Sequence, residues 1–204
     1  MMVLLKNLLH KADIPARRYH LFIVLQYSAI LALLAHVAFI FIFKFINVPF
    51  MFCFSFGSCL LFILCFVLVR RGLLNTALIL ATLEVLTHAF LAVVFIGWDS
   101  GFHIYIVCIL PMLFYHPSWQ LAIKLALSLV LCGIYIWLNI VTPSAGLIWV
   151  NPETLTAIRY CNFFSFFVII SGFSFYYSLA ARHAENKLRA QNLELERAHA
   201  VIKQ

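Results

Sequence analysis

The sequence predicts an all-α membrane protein: a six-transmembrane-helix bundle with both termini cytoplasmic, whose last helix continues into a parallel coiled coil. Three properties favour this fold class. Of the 204 residues, 65% are hydrophobic and only 10% are charged, and the mean hydropathy is +1.05. A soluble domain is about 45–50% apolar and about 25% charged. The bilayer is therefore the predicted solvent of this chain.

Residues 1–19 predict an interfacial amphipathic segment. Lys6 and His10 interrupt the apolar positions, so the apolar stretch that a signal peptide needs is missing. The helical spacing and the nearby Lys11, Arg17 and Arg18 are typical of a helix on an anionic membrane surface. We expect this segment to be retained.

Residues 20–180 predict the transmembrane domain. A spanning helix needs about 20 mostly apolar residues, and six stretches of the sequence qualify. Short links between them, such as residues 70–72 and 99–101, predict antiparallel neighbours. The six predicted helices are approximately residues 21–45, 48–69, 73–98, 102–117, 119–141 and 152–179.

The basic residues predict the orientation of these helices. If the N-terminus is inside, the outer side holds only Lys44 and Arg159, and the remaining loop and end clusters of Lys and Arg lie inside. This asymmetry places both termini in the cytoplasm. The net charge of +7 does not indicate nucleic acid, because the basic residues form no continuous stripe.

The last helix has a predicted start and no predicted stop before the end of the sequence. Asn151 can cap it, and Pro152 suits its first turn. Neither Gly nor Pro follows Gly172, while the composition changes near Ala181 from aromatic to charged. One continuous helix is therefore expected to leave the membrane.

Residues 181–204 predict a coiled-coil signalling helix that leads to an output domain. Apolar positions recur every seven residues, with partners three residues later, as a coiled-coil seam requires. The seam is short, relies partly on alanines and includes Gln191, so a solvated helix that frays is the alternative. A parallel homodimer is the predicted state. The residues expected to transmit a signal are Leu188, Gln191, Leu195 and Ile202.

Ionisable residues at membrane depth are functional hypotheses, since their burial in lipid is costly. Glu84 and His88 are four residues apart and share one helix face, and His36 lies at nearly the same depth in the first helix. The two histidines could clamp one metal ion or one haem iron. The alternatives are a satisfied polar cluster that fixes helix packing, or a pocket for a lipophilic, quinone-like ligand.

A second haem would need another histidine pair near the cytoplasmic face, with His20 and His116 as candidates. The helical phase argues against it, because neither His20 and His36 nor His103 and His116 fall on one face of an ideal helix. Pro111 could alter this phase by kinking its helix. The candidate cofactor ligands are His36, His88, His103 and His116.

The stretch from Gly97 to Tyr105, GWDSGFHIY, preceded by EVLTH at residues 84–88, resembles the hallmark of a bacterial six-helix membrane anchor. This anchor precedes class III adenylyl cyclases and GGDEF diguanylate cyclases. The resemblance covers residues 20–204 in topology but only this junction in motif. Within it, Asp99 can cap the next helix and Gly101 permits a tight reversal. Candidate ligand-pocket residues are Glu84, Trp98, Asp99, Phe102 and Tyr105.

The resemblance implies a homodimer in a bacterial cytoplasmic membrane that brings two cyclase domains together. Some such anchors are reported as b-type haem proteins that respond to redox or quinone state. The predicted function is a membrane sensor or anchor that regulates a nucleotide cyclase, with no catalysis within these residues. The alternative is a cytochrome b-like electron-transfer subunit.

Overall fold

The computed structural model describes residues 14–142 and 146–202, and in these ranges the regular structure is entirely helical. The predicted all-α class is thus confirmed. Most of the predicted interfacial segment, residues 1–13, lies outside the described residues, as do the side chains of Leu188, Leu195 and Ile202.

Five helices of the described chain are long and apolar enough to cross a membrane. Four of them match predicted segments to within a few residues, and the fifth begins at the predicted Pro152 and continues past residue 179. In chain order the helices are α1 (Tyr19–Phe45), α2 (Pro49–Arg70), α3 (Leu74–Ile96), α4 (Ile109–Phe114), α5 (Leu121–Val141) and α6 (Pro152–Ile202), and α4 is the short one.

The predicted fourth span differs from a regular transmembrane helix. It consists of a 3₁₀ helix, Phe102–Cys108, followed directly by α4. Because a 3₁₀ helix rises about 2.0 Å per residue and an α-helix about 1.5 Å, the two together extend roughly 23 Å, against about 30 Å for the hydrocarbon core. The membrane-spanning length is therefore established for five helices and not for this segment.

Hydrogen bonds place the end of this short segment beside the starts of α1 and α3. The Arg17 guanidinium donates to the carbonyl oxygen of Pro117 at 3.3 Å. His116 Nε2 lies 3.1 Å from Asn75 Oδ1. The chain that leaves Ile96 at one end of α3 has therefore returned to the other end of α3 by residue 116.

The core lies where α1 and α3 meet the segment after α3. Phe43 and Phe102 are fully buried there, against the small residues Ala89 and Ala92 of α3. Small side chains let neighbouring helices approach closely, which is how helices associate in lipid.

The loop after α5 closes over the end of α3. The amides of Leu147 and Ile148 donate to the carbonyls of Val94 and Phe95 at 3.0 and 2.8 Å. A Cβ atom at Gly146 would lie 2.4 Å from the amide nitrogen of Gly97, so this approach needs glycine.

The start of α6 agrees with the predicted cap. Asn151 Oδ1 accepts from the amide of Glu153 at 2.9 Å. The helix then continues without a break through 51 residues to Ile202. The chain divides into two compact units, residues 1–166 and 167–204, and the boundary between them falls inside α6.

The second unit, residues 167–204, is helical throughout its described part. Glu185 and Arg189 form an exposed ion pair at 2.6 Å, one helical turn apart, and Gln191 is exposed. Such surface pairs contribute only a few tenths of a kcal/mol, about 0.3–0.5. The coiled coil and the homodimer remain predictions.

Candidate functional site

A triad of buried ionisable side chains lies between α1 and α3. His36 Nε2 is 3.0 Å from Glu84 Oε1 and 3.2 Å from His88 Nδ1, and His88 Nδ1 is 3.8 Å from the same Glu84 oxygen. His36 and Glu84 are each only 5% exposed, and His88 is 3% exposed. The structure thus brings together the three residues that the sequence placed at one depth.

The orientation of the His36 ring is fixed from outside the triad. Its Nδ1 lies 2.7 Å from the carbonyl oxygen of Ala32, and because a carbonyl only accepts, Nδ1 is the donor. When His36 is neutral, its Nε2 lone pair then faces Glu84 and His88.

Three polar atoms of the triad have no hydrogen-bond partner among the described residues. Neither carboxylate oxygen of Glu84 accepts a hydrogen bond, although Oε1 is close enough to His36 for an ion pair, and His88 Nε2 also has no partner. Buried polar atoms without partners are costly, at about 1–3 kcal/mol each. This is the arrangement expected where a further polar group or an ion completes the site.

Aromatic rings enclose the triad. Phe62 of α2 contacts the His36 ring at a centroid distance of 5.1 Å. Phe39 of α1 and Phe102 contact the His88 ring at 5.2 and 5.6 Å. The apolar enclosure lowers the local dielectric constant, which strengthens every electrostatic interaction inside it.

The arrangement does not fit a haem iron held between His36 and His88. Two axial nitrogens lie on opposite faces of a porphyrin, about 4 Å apart for bonds of about 2 Å. Here the two nitrogens are 3.2 Å apart and both approach Glu84 Oε1. A macrocycle would also have to pass between side chains that Phe39 and Phe102 already contact.

The other two predicted ligands, His103 and His116, are engaged elsewhere. The His103 ring stacks on Trp98 at a centroid distance of 3.8 Å. His116 stacks on Trp119 at 4.1 Å and lies beside Asn75. Among the described residues, only His36, Glu84 and His88 bring three possible ligand atoms close enough together to hold a metal ion.

The predicted pocket residues are distributed over several environments. Trp98 stacks on His103, and Phe102 is buried beside His88. Tyr105 contacts Phe39 at a centroid distance of 6.0 Å. The prediction of a common ligand pocket remains untested by this arrangement.

The prediction that Asp99 caps the next helix is wrong. The 3₁₀ helix that begins at Phe102 has Gly101 at its N-cap, and no side chain caps it. Asp99 instead lies in a 3₁₀ turn, with its carboxylate 3.9 Å from the guanidinium of Arg159. Gly101 does provide the predicted reversal, with φ +80° in the left-handed region.

A second polar cluster, not predicted from the sequence, joins this turn to α6. Asn162 Nδ2 donates to the carbonyl of Ser100 at 2.9 Å, and Tyr105 donates to Asn162 Oδ1 at 3.1 Å. Asn162 is 2% exposed. The signal was present in the sequence, since Asn162 is a polar residue inside an apolar stretch.

Replacing Asn162 by alanine is expected to destabilise the protein by about 1–3 kcal/mol, because the Ser100 carbonyl and the Tyr105 hydroxyl lose a buried partner. Thermal unfolding in detergent measures the effect. The matched control is Asn139→Ala, since Asn139 is an exposed asparagine of α5. Equal midpoints for the two variants would show that the Asn162 cluster contributes no net stability.

Comparisons with protein-family models, with curated proteins and with solved structures gave no match. The resemblance to the cyclase anchors therefore remains a prediction from the motif and topology.

Proposed function

We propose that this chain is a membrane sensor and anchor that regulates a cytoplasmic nucleotide cyclase through α6. The observation that carries the proposal is the unbroken course of α6 from Pro152 to Ile202. Its first part is apolar enough to cross a membrane. Its last turns are charged, and Asn162 near its start contacts the turn after α3. One continuous helix is thus available to carry a change at that turn to a distant domain.

A continuous set of contacts supports this role by connecting the buried triad to α6. The His88 ring contacts Phe102. Phe102 follows Gly101 and Ser100 in the chain, and the carbonyl of Ser100 accepts from Asn162. Coupling between sites requires such a chain of packed and hydrogen-bonded groups, together with two states that it biases. In the proposal, a change at the triad shifts Phe102 and the turn, and α6 moves with them.

The proposed topology has six crossings and cytoplasmic termini. The contacts of Arg17 with Pro117 and of Asn75 with His116 support a crossing by residues 102–116, because they place its two ends at opposite ends of α3. The 3₁₀ helix supports it as well, since it extends the segment further than an α-helix of equal length. The excess of Lys and Arg at the other ends and loops supports the orientation.

The sensor proposal also includes a parallel homodimer, as the cyclase resemblance implies. The seven-residue spacing of Leu188, Leu195 and Ile202 supports it. If the coiled coil has two packing arrangements that differ in free energy by only a few kcal/mol, a small shift of α6 can change which of them is favoured. The electron-transfer alternative draws no support from the triad, because its geometry does not fit a haem iron between His36 and His88.

Fusing a class III adenylyl cyclase catalytic domain after Gln204 tests the proposal. Membranes with this fusion are expected to synthesise cyclic AMP at least about 10-fold faster than the catalytic domain alone at equal concentration, because effective concentrations in a linked dimer are high. The matched control carries the same domain behind one unrelated transmembrane helix that does not dimerise. If this control is as active as the fusion, the chain does not act as a dimerising cyclase anchor.

A further inference from the structure

The three nitrogen and oxygen atoms of the buried triad form a triangle of definite size. His36 Nε2, His88 Nδ1 and Glu84 Oε1 are separated by 3.2, 3.8 and 3.0 Å. The radius of the circle through three points is the product of the sides divided by four times the area. For these sides it is about 2.0 Å, so one point lies about 2.0 Å from all three atoms.

That radius is the bond length of a first-row transition metal. Zinc binds histidine nitrogen at about 2.0–2.1 Å and carboxylate oxygen at about 2.0–2.2 Å. An ion displaced slightly from the plane of the triangle would meet both ranges. The side of the ion that faces away from the three ligand atoms would then be open for a fourth ligand, as tetrahedral coordination requires.

The ligand types and their supports agree with the distances. Imidazole and carboxylate together suit Zn²⁺ and Fe²⁺. A ligating histidine commonly donates its other ring nitrogen to a carbonyl, and His36 Nδ1 does so to Ala32. Glu84 Oε2 has no hydrogen-bond partner in the described part of the chain, so it can bind the ion as a second oxygen or orient a bound water.

Hydrogen bonds within the triad satisfy its polar atoms less completely than a bound metal ion would. If His36 is an imidazolium, it can pair with Glu84 Oε1 at 3.0 Å, but Glu84 Oε2 still has no partner among the described residues. His88 Nδ1 is too distant, at 3.8 Å, for a hydrogen bond to that carboxylate. If His36 is neutral, its single lone pair faces two groups that compete for it. A cation accepts electron density from all three atoms at once.

We propose that His36 Nε2, His88 Nδ1 and Glu84 Oε1 bind one divalent transition-metal ion, of which Zn²⁺ is the reference, inside the helix bundle. The site stands independently of the sensor function, because it rests only on the geometry and chemistry of α1 and α3. The carboxylate offsets one of the two charges of the ion, and the aromatic enclosure by Phe39, Phe62 and Phe102 excludes competing solvent.

The test uses the full chain, purified in detergent with an affinity tag that contains no histidine. The protein is stripped with a chelator, loaded with Zn²⁺ and passed through gel filtration. Elemental analysis is expected to give about one zinc per chain. Loading with Co²⁺ is expected to give the visible bands of a tetrahedral ion.

Glu84→Gln is expected to bind Zn²⁺ at least about 10-fold more weakly, since the ligand charge is lost. The matched control is His116→Gln, which removes a buried histidine that contacts Trp119 and Asn75 instead of the triad. This control is expected to bind zinc as tightly as the wild type. If Glu84→Gln does not yield folded protein, X-ray absorption at the zinc edge of the wild type decides, with two imidazole ligands expected.

Three results would each overturn the proposal. One is a wild-type protein that retains no stoichiometric zinc after gel filtration. Another is a loss of zinc from His116→Gln equal to that from Glu84→Gln. The third is an absorption spectrum without imidazole ligands, which would assign the zinc to other groups of the chain.

Discussion

Phe102→Ala is expected to lower the stability of the bundle by about 3–5 kcal/mol, the range seen when a core phenylalanine is truncated to alanine. The Phe102 ring is 0% exposed and contacts Phe43 at a centroid distance of 5.5 Å and His88 at 5.6 Å. Its removal leaves a cavity between α1, α3 and the 3₁₀ helix. In lipid, lost packing outweighs lost transfer free energy, because the surrounding tails are themselves apolar.

Unfolding of the detergent-solubilised protein by heat, followed by circular dichroism, measures this loss. Phe41→Ala is the matched control, since Phe41 is a phenylalanine of α1 whose side chain is 67% exposed. Its midpoint is expected to stay near that of the wild type. A Phe41 variant that loses as much stability as the Phe102 variant would show that the ring at position 102 is not part of a tightly packed core.

The long helices were predictable because their apolar stretches exceed the length that a bilayer requires. The segment after α3 was not, because hydropathy reports how apolar a stretch is and says nothing of its helical type. Gly101 and Pro111 mark the irregularity, yet neither specifies seven residues of 3₁₀ helix. That conformation depends on packing between α1, α3 and Phe102, which involves residues far apart in the sequence.

The triad shows how much of a functional site can be predicted from the spacing of residues in the sequence. The four-residue interval between Glu84 and His88 places them on one face, and the depth of His36 places it level with them. The rotation of α1 about its own axis decides whether His36 faces α3, and that rotation comes from packing. The sequence also offered His103 and His116 as cofactor ligands, although each of them stacks on a tryptophan.

Asn162 was missed for a related reason. A single asparagine in an apolar segment indicates a buried hydrogen bond, but its partners are a backbone carbonyl of Ser100 and the hydroxyl of Tyr105. Neither partner can be found from periodicity, since both belong to an irregular turn and a 3₁₀ helix. The sequence pointed to this turn through Asp99 and Gly101. In the structure it is the carbonyl of Ser100, between them, that accepts the hydrogen bond from Asn162 of α6.

Changing the phase of α6 is expected to abolish regulation in the cyclase fusion, if α6 carries the signal as proposed. Two alanines inserted after Leu188 rotate everything downstream by about 200°, because each residue of an α-helix turns about 100°. The seam would then face away from its partner, and cyclic AMP synthesis is expected to fall to the rate of the unlinked catalytic domain.

The matched control inserts seven residues at the same point, as a second copy of residues 182–188. This insertion lengthens the helix far more than two alanines do, but it shifts the phase by only about 20° and preserves the seven-residue repeat. Cyclic AMP synthesis is therefore expected to stay near that of the parent fusion. Rates that depend on the length of the insertion and not on its phase would contradict a helical seam and would indicate that α6 acts only as a tether.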